Sequence, residues 1–169
     1  GTITGCYYLE NNDDGNGGKT EDQFKSDDVC SLLNEALKNE NASVRFYQEG
    51  ANYPELIMNV PSLVEGVYQI SNKEELYAFA LVINKNVETS ANAKLTADIV
   101  VNSGLAEGKT MLESLEYDTA SGKVTNGSNF VAWTPMGYYK SDDDYVEYKG
   151  TFDGQGHTIS GLYLDNREL

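Results

Sequence analysis

Residues 152–157 carry the side chains that a hydrolase would use, because an aspartate and the only histidine of the chain lie within one glycine-punctuated stretch. Asp153 could serve as a catalytic acid and His157 as a general base. The glycines favour a different role, since they permit the positive φ angles of a tight corner, where an aspartate hydrogen-bonds the backbone of its own turn. We therefore expect Asp153 to hold a turn and His157 to pack beside it, and we assign no catalytic residue. Any Ser–His–Asp or Cys–His set would need His157 itself.

Two acidic stretches carry the oxygen ligands that calcium prefers. The first has EF-hand spacing, with glycine at the sixth position and glutamate at the twelfth, although it begins with glutamate where aspartate is expected. Its ligand positions would be Glu10, Asn12, Asp14, Gly15, Asn16 and Glu21. The second stretch is Ser-Asp-Asp-Asp at 141–144. We expect a solvated loop and a soluble hairpin tip respectively, so we assign no metal ligand and no cofactor. Calcium stabilisation is the alternative.

Five aromatic side chains lie close together in the sequence and could stack against sugar rings. They are Trp133, Tyr138, Tyr139, Tyr145 and Tyr148. Tyrosines in β-rich proteins commonly pack across neighbouring strands. We therefore expect a packing role for this group, and glycan binding is the alternative.

The two cysteines, Cys6 and Cys30, are too few for a disulfide scaffold. Their spacing matches no zinc motif. Because both have apolar neighbours, we expect small buried thiols, and a Cys6–Cys30 bridge stays open.

Two helices must position the rest of the chain, because apolar residues recur at helical spacing in two places. Ser26 is predicted to cap the first helix, and Ser71 with Glu74 is predicted to form the capping box of the second. The apolar face of the first would consist of Val29, Leu32, Leu33, Ala36 and Leu37, and that of the second of Leu76, Phe79, Ala80 and Ile83. Thr20 with Gln23 predicts a further single helical turn.

Short runs of β-branched and aromatic residues predict strands at 2–9, 44–47, 53–58, 67–70 and 95–101. Pro54 favours an edge position for the third of these. The turn-rich stretch 102–129 offers only weak strand signals, and glycine-punctuated short strands are expected from 130 onward.

The two ends of the chain repeat one pattern. Residues 2–11 read TITGCYYLEN and residues 158–166 read TISGLYLDN, so with one insertion both follow Thr-Ile-hydroxyl-Gly-x-Tyr-Leu-acid-Asn. A repeated strand-and-turn unit is typical of stacked solenoid coils. Chance similarity of two β-prone segments is the alternative.

Residues 130–137 (FVAWTPMG) and 148–162 (YKGTFDGQGHTISGL) resemble a stretch found in bacterial surface proteins with GLUG repeats and filamentous-haemagglutinin-like parallel β-helices. In that family a helix like 72–84 and a strand like 94–101 come just before it, and residues 1–60 resemble the end of such an array. The resemblance leaves 102–129 unmatched and implies a β-helix without a specific activity. A similar Asp-Gly-x-Gly turn in β-helical pectin glycosidases marks a structural coil, in agreement with a turn role for Asp153.

Composition limits the partners. The 169 residues include 27 acidic and 12 basic side chains, which gives a formal net charge of −15 and disfavours nucleic acid and anionic membranes. The chain also lacks the roughly 18-residue apolar run of a membrane span, so no membrane insertion is expected. The first residues read as mature β-structure, and we interpret the chain as an excised piece of a longer protein.

These patterns predict an α+β, mostly β fold with partial right-handed parallel β-helix-like coils and two amphipathic helices. Residues 1–60 would end one array and 61–169 would open the next, packed as one body. The expected function is a non-catalytic structural or adhesive segment of a secreted, extracellular bacterial surface protein. Its partners would be host or matrix glycans or proteins, with self-association through exposed coil edges. The alternatives are an accessory part of a carbohydrate-active β-helix enzyme and a calcium-stabilised glycan-binding module.

Overall fold

The computed structural model describes residues 8–9, 18–102 and 111–164, and it shows two longer helices packed with several small sheets in a mixed α/β arrangement. The helices are α1 (Glu21–Phe24), α2 (Asp27–Asn39), α3 (Lys73–Asn84) and α4 (Met111–Ser114). The strands are β1 (Tyr8–Leu9), β2 (Gly18–Lys19), β3 (Val44–Tyr47), β4 (Glu55–Met58), β5 (Ser62–Val64), β6 (Val67–Ile70), β7 (Asn92–Leu95), β8 (Ile99–Val100), β9 (Tyr138–Ser141), β10 (Asp144–Val146), β11 (Phe152–Asp153) and β12 (Ile159–Ser160).

Thr20 and Ser26 stand at the N-caps of α1 and α2. The hydroxyl of Thr20 accepts the N–H of Gln23 at 3.3 Å and the N–H of Thr20 donates to Gln23 Oε1 at 2.8 Å, which confirms the predicted capping box. Ser26 stands at the N-cap of α2, but its hydroxyl donates to the carbonyl of Gln23 at 2.6 Å. The predicted N-cap position of Ser26 is therefore confirmed, although its hydroxyl does not bond a helix N–H and instead uses an acceptor in the preceding turn. On the predicted apolar face, Val29 is buried whereas Leu32 is 46% exposed.

Helix α3 begins one residue later than its sequence predicts. Asn72 is the N-cap, and its Oδ1 accepts the N–H of Glu75 at 2.9 Å. Glu75 in turn accepts the N–H and the hydroxyl of Ser71. The predicted pairing of Ser71 with Glu74 is thus displaced by one position, since asparagine caps helices as well as serine does. The predicted buried stripe is confirmed, with Ala78 and Val82 added to it.

One hairpin lies on each side of position 60, where the two predicted units (1–60 and 61–169) meet. Strands β3 and β4 pair antiparallel, and β4 begins directly after Pro54. Strands β5 and β6 also pair antiparallel, and β5 is not among the strands predicted from the sequence. The connecting residues Glu65 and Gly66 both have positive φ, at 51° and 79°. Two such residues make the hairpin turn whose twist matches that of the flanking strands.

Parallel pairings join the middle of the chain to its C-terminal part. Strand β7 pairs with β11, β8 pairs with β12, and Ala132 forms a single bridge with Tyr163, all parallel. Strand β6 lies on the other side of β7, so one sheet runs β5–β6–β7–β11. Within the described ranges these strands form neither a closed barrel nor a continuous solenoid.

The predicted strand at 95–101 is two strands with a corner between them. Strand β7 ends at Leu95 and β8 begins at Ile99. The N–H of Thr96 donates to the carbonyl of Ile70 at 2.8 Å, and Asp98 accepts the N–H of Thr158 at 2.9 Å. The two polar residues that interrupt the apolar run therefore mark the corner.

The hydrophobic core takes residues from both sides of position 60. Ile57 and Val60 are buried in the same cluster as the inner face of α3 and strands β6 to β8. The ring of Phe79 lies at its centre, with centroid distances of 5.6 Å to Tyr68 and 6.3 Å to Phe152. The β3–β4 hairpin and the parallel strands therefore share one hydrophobic core with α3.

Gly150 is required by a close backbone approach. A Cβ atom at this position would lie 1.9 Å from the carbonyl oxygen of Ala91, whereas at Gly154 its nearest contact would be 3.8 Å away. Overpacking of this kind costs about 1–3 kcal/mol or more. We expect Gly150→Ala to lower the free energy of unfolding by at least that amount, measured by urea denaturation. Gly154→Ala is the matched control and should unfold like the parent; equal stability of both variants would contradict the packing of β11 on β7.

Candidate functional site

A groove of about 900 Å³ lies between α2, β3 and the segment that follows α3. Helix α2 contributes Ser31, Asn34 and Glu35 to its wall, and the chain after β3 contributes Gln48. The opposite wall is the segment 85–88. The groove is therefore built from residues on both sides of position 60.

Asn34 fixes the first wall. Its amide nitrogen donates to the carbonyl of Phe46 at 2.8 Å, and its oxygen accepts the N–H of Phe46 at 2.7 Å. This pair of bonds ties α2 to the middle of β3. The neighbouring α2 residues Ser31 and Glu35 are exposed along the same groove.

Behind the groove lies a buried cation. The side chain of Arg45 has no exposed surface, and its Nε donates to Glu88 Oε1 at 3.2 Å. One terminal nitrogen donates to the carbonyls of Ala42 and Val44, and the other donates to the hydroxyl of Tyr68 at 2.8 Å. A buried charge is tolerated when it is paired and hydrogen-bonded, and each of the three guanidinium nitrogens of Arg45 has at least one acceptor.

Glu88 supplies the matching negative charge from the opposite wall. Its second carboxylate oxygen lies 2.6 Å from Nζ of Lys38, and its first accepts the hydroxyl of Tyr68 at 2.9 Å. Burial alone raises the pKa of Glu88, but the hydrogen bonds from Lys38, Tyr68 and Arg45 outweigh it and bring the pKa below its ordinary value. Glu88 is thus ionised at neutral pH and joins α2, β3 and β6.

Tyr68 completes this network. Burial raises the pKa of its phenol well above the usual value, and the charge of Glu88 raises it further. The phenol therefore stays neutral, so that it can donate to Glu88 while it accepts from Arg45. The guanidinium of Arg45 also lies 5.7 Å from the centroid of the Tyr68 ring, a distance that allows a cation–π attraction.

The lysines around the groove are neutralised by acidic partners. Lys38 pairs with Glu88, Lys85 pairs with Glu49, and Lys25 pairs with Glu21 at 2.6 Å. The Nζ of Lys85 also lies 4.9 Å from the ring centroid of Tyr47. Glu88 is shared by Lys38 and Arg45, but the exposed Glu35 adds a further negative charge to the groove. The charges around the groove therefore balance, and there is no surplus of positive charge that would recruit an anion.

The turn that carries Asp153 and His157 is a structural corner. Asp153 accepts the N–H of Gln155 at 2.9 Å, which confirms the predicted backbone bond and lowers the pKa of its carboxyl. His157 lies beside this turn as expected, with Nδ1 3.3 Å from Oδ1 of Asp98. Asp98 is already engaged with the N–H of Thr158, a bond that lowers its pKa.

The five aromatic residues do not form one platform. Trp133 packs edge-on against Tyr77 at 5.2 Å, and Tyr148 packs edge-on against Phe79 at 6.2 Å. Tyr139 instead lies on the hairpin of β9 and β10 and is 70% exposed. Tyr145, its cross-strand neighbour, lies 6.4 Å from it between ring centroids. The structure therefore separates the five residues into rings that pack at the core and tyrosines on the hairpin.

The other predicted ligand sites have separate outcomes. The acidic stretch 141–144 is a hairpin tip as predicted, with Asp142 accepting the hydroxyl of Tyr139 at 2.8 Å. Of the EF-hand-like positions only Glu21 lies within the described residues, where it pairs with Lys25. In the described part of the chain no cluster of three or more His, Cys, Asp or Glu side chains could hold a metal.

Cys30 is buried as predicted, and Cys6 lies outside the described residues, so their pairing stays a prediction.

The sequence alone does not predict the network of Arg45 and Glu88. Val44 to Tyr47 reads as a strand, and one signal was present: one of only two arginines in the chain stands among its apolar residues. Its partner could not be found in this way, because Glu88 is 43 positions away in a polar stretch.

No protein-family model matches this sequence, and neither the curated proteins nor the solved structures contain a match. Over the described ranges, every helix is too short or too polar to cross a membrane.

Removal of the Glu88 charge should destabilise the protein in a pH-dependent way. Loss of one partner of a buried ion pair costs roughly 3 kcal/mol or more, so we expect Glu88→Gln to lower the free energy of unfolding by that amount at neutral pH. Because the folded-state pKa of Glu88 lies below its ordinary value of 4.5, its contribution is present above that pH and is lost as the pH falls through the folded-state pKa. The gap between parent and variant should therefore narrow at acidic pH, as measured by urea denaturation.

The exposed Glu116 provides the matched control. Glu116→Gln removes the same charge without touching the network, and it should change the unfolding free energy little at either pH. Equal stability of Glu88→Gln and the parent at neutral pH would contradict the role assigned to Glu88.

Proposed function

We propose that this chain is a non-catalytic structural and adhesive segment of a secreted bacterial cell-surface protein, and that its C-terminal half consists of stacked β-helical rungs. Strands β7 and β8 with Ala132 would form a lower rung. Strands β11 and β12 with Tyr163 would form an upper rung. The parallel register between these two sets carries the proposal.

The offsets between paired residues support a solenoid with one insertion. Phe152 pairs with Ala93 and Ile159 with Ile99, so the offsets are 152 − 93 = 59 and 159 − 99 = 60. The pairs β7–β11 and β8–β12 form two sides of the proposed rungs, and the bridge between Ala132 and Tyr163 forms the third. There the offset falls to 163 − 132 = 31. This drop is expected when the residues between Asn102 and Val131 are inserted at a corner of the lower rung alone, because stacked repeats otherwise keep a constant spacing.

Each side of the stack has a polar tie as well as backbone pairing. Asn92 accepts the N–H of Thr151 at 2.9 Å, and Asp98 accepts the N–H of Thr158 at 2.9 Å. The buried amide of Asn102 donates to the carbonyl of Gly161 at 2.7 Å and accepts the N–H of Val131 at 2.7 Å. These side-chain hydrogen bonds hold the short strands in register, which supports a structural role for the stack.

The resemblance to GLUG-repeat surface proteins agrees with this arrangement. Its strongest motif, residues 150–162, would occupy the upper rung. Asp153 and Asp98, the two carboxylates beside His157, both accept backbone N–H groups. Their structural engagement supports a non-catalytic role over an enzymatic one.

The groove is the surface that suits an adhesive role. Its exposed polar side chains include Glu35 and Asn86, with Gln48 partly exposed. Amides, hydroxyls and paired charges suit a neutral polyhydroxylated ligand better than a polyanion. A host or matrix glycan, or a glycosylated protein, is the partner class that fits these groups.

Binding to arrayed glycans and immobilised matrix proteins tests this function. We expect saturable binding that weakens at least tenfold in the double variant Glu35→Ala/Gln48→Ala. The control Glu116→Ala removes a comparable exposed charge outside the groove and should bind like the parent. Incubation with the bound polysaccharides should release no reducing ends. A flat result over the whole panel would overturn the adhesive role, and reducing ends would overturn the non-catalytic one.

A further inference from the structure

The hairpin of β9 and β10 presents two tyrosine rings side by side. Tyr139 and Tyr145 are cross-strand partners, and their ring centroids lie 6.4 Å apart with an angle of 40° between the ring planes. The two residues are 70% and 56% exposed. Tyrosines are enriched where proteins bind partners, because each offers a large rigid ring at a small cost in conformational entropy. The pair is therefore a contact surface of the kind that a partner uses.

The base of this hairpin is fixed to the core. The side chain of Asn84 on α3 accepts the N–H of Gly137 at 2.8 Å, and Val146 packs against the hydrophobic cluster. The two strands approach closely at this point, since a Cβ atom at Gly137 would lie 2.9 Å from the carbonyl oxygen of Val146. The rings are thus positioned before a partner binds, and prior positioning lowers the entropic cost of association.

Negative charge lies at the tip of the same hairpin. Asp142 and Asp143 form the turn between the two strands and are both exposed. The hydroxyl of Tyr139 donates to Oδ1 of Asp142 at 2.8 Å, so this carboxylate lies at the end of the ring. The hairpin therefore places aromatic faces and acidic side chains next to each other.

Aromatic faces beside carboxylates suit an arginine side chain. A guanidinium is attracted to the face of a tyrosine ring within about 6 Å of its centroid, and its planar group stacks on such a ring. The same group donates two parallel hydrogen bonds to a carboxylate. The formal net charge of −15 also attracts a basic partner over longer distances. A neutral sugar would stack on the rings as well, but the neighbouring charge would not attract it.

We propose that the hairpin 138–146 is the docking surface for an arginine-bearing, basic segment of a partner protein. An arginine side chain of that segment would lie against the rings of Tyr139 and Tyr145 and would reach the carboxylates of the turn. This surface lies outside the groove between α2 and β3, and it does not depend on the parallel rungs. Protein docking at the hairpin and glycan binding in the groove can therefore each fail without the other.

Titration with short peptides of defined charge tests this contact. The probes are the peptide GRGRGRG, the same peptide with lysine in place of arginine, and the same peptide with citrulline, which keeps the shape of arginine without its charge. We expect the arginine peptide to shift the backbone NMR signals of residues 138–146 above all others. The lysine peptide should bind more weakly, and the citrulline peptide should not bind. Shifts centred outside the hairpin would overturn the proposal.

The variant Y139T/Y145T removes both rings, keeps residues that favour strands and leaves the net charge unchanged. Each exposed cation–π contact is worth about two- to fivefold in affinity, so loss of both should weaken binding of the arginine peptide by roughly fivefold or more. Y139F/Y145F keeps both rings and should bind within about twofold of the parent. Tyr117, an exposed tyrosine that bridges to Val124, provides the matched control, and Y117T should bind like the parent.

The contribution of the acidic turn is tested separately. D142N/D143N removes both charges of the turn, and asparagine can still accept the Tyr139 hydroxyl. We expect weaker binding and a shallower dependence on salt, because screening acts on charge contacts. The control E74Q/E116Q removes the same charge at two other exposed positions and should change the affinity less. An equal loss in both variants would contradict a contact at the turn.

Three further results would overturn the proposal. Equal binding by Y139T/Y145T and the parent would show that net charge alone attracts the peptide. An equal loss in Y139F/Y145F and Y139T/Y145T would show that the hydroxyls form the contact and the rings do not. Maltohexaose binding at the hairpin, with no response to the arginine peptide, would assign the rings to a glycan. The NMR signals of residues 73–84 in α3 confirm in each variant that the core is folded.

Discussion

The guanidinium of Arg45 is the constraint on which the rest of the structure depends. A cation without exposed surface must keep every partner, and its partners come from separate parts of the chain. Tyr68 lies on β6, and Glu88 lies in the segment after α3. Lys38 of α2 then balances the second oxygen of Glu88. One side chain therefore requires that α2, β3, β6 and the end of α3 be in place together, and the groove follows from that requirement.

The parallel strands also depend on a few specific contacts, because they have only two to four residues each. Strands so short are not stable as isolated pairs. The side chains of Asn92, Asp98 and Asn102 add one polar tie on each side of the stack, while α3 covers the interior. Gly150 then allows the backbone to approach Ala91 closely. Register is thus set by a few polar bonds and one missing side chain, with the hydrophobic core beneath them.

Local signals explain what the sequence predicted well. The capping box of Thr20, the stripe of α3 and the acidic hairpin tip depend on residues within a few positions of one another. The sequence failed to predict features that depend on distant residues. The run 95–101 is divided by a corner at which Asp98 accepts the N–H of Thr158, 60 positions away. The groove could not be predicted for the same reason, because its walls come from segments that are far apart in the sequence. One miss was avoidable: Glu65-Gly66 between two apolar runs is a readable hairpin turn.

Native-state hydrogen exchange tests most directly whether the buried charge network and the strand stack belong to one cooperative unit. The N–H of Val60 donates to Ser43 in the N-terminal half, while those of Ala93 and Ile99 donate to Thr151 and Thr158 across the parallel strands. We expect these three amides to exchange only through global unfolding, with the same free energy, and to lose protection together in Glu88→Gln. Exchange of Val60 at a clearly lower free energy, with Ala93 and Ile99 still protected, would show two independent units and would contradict the central role of Arg45.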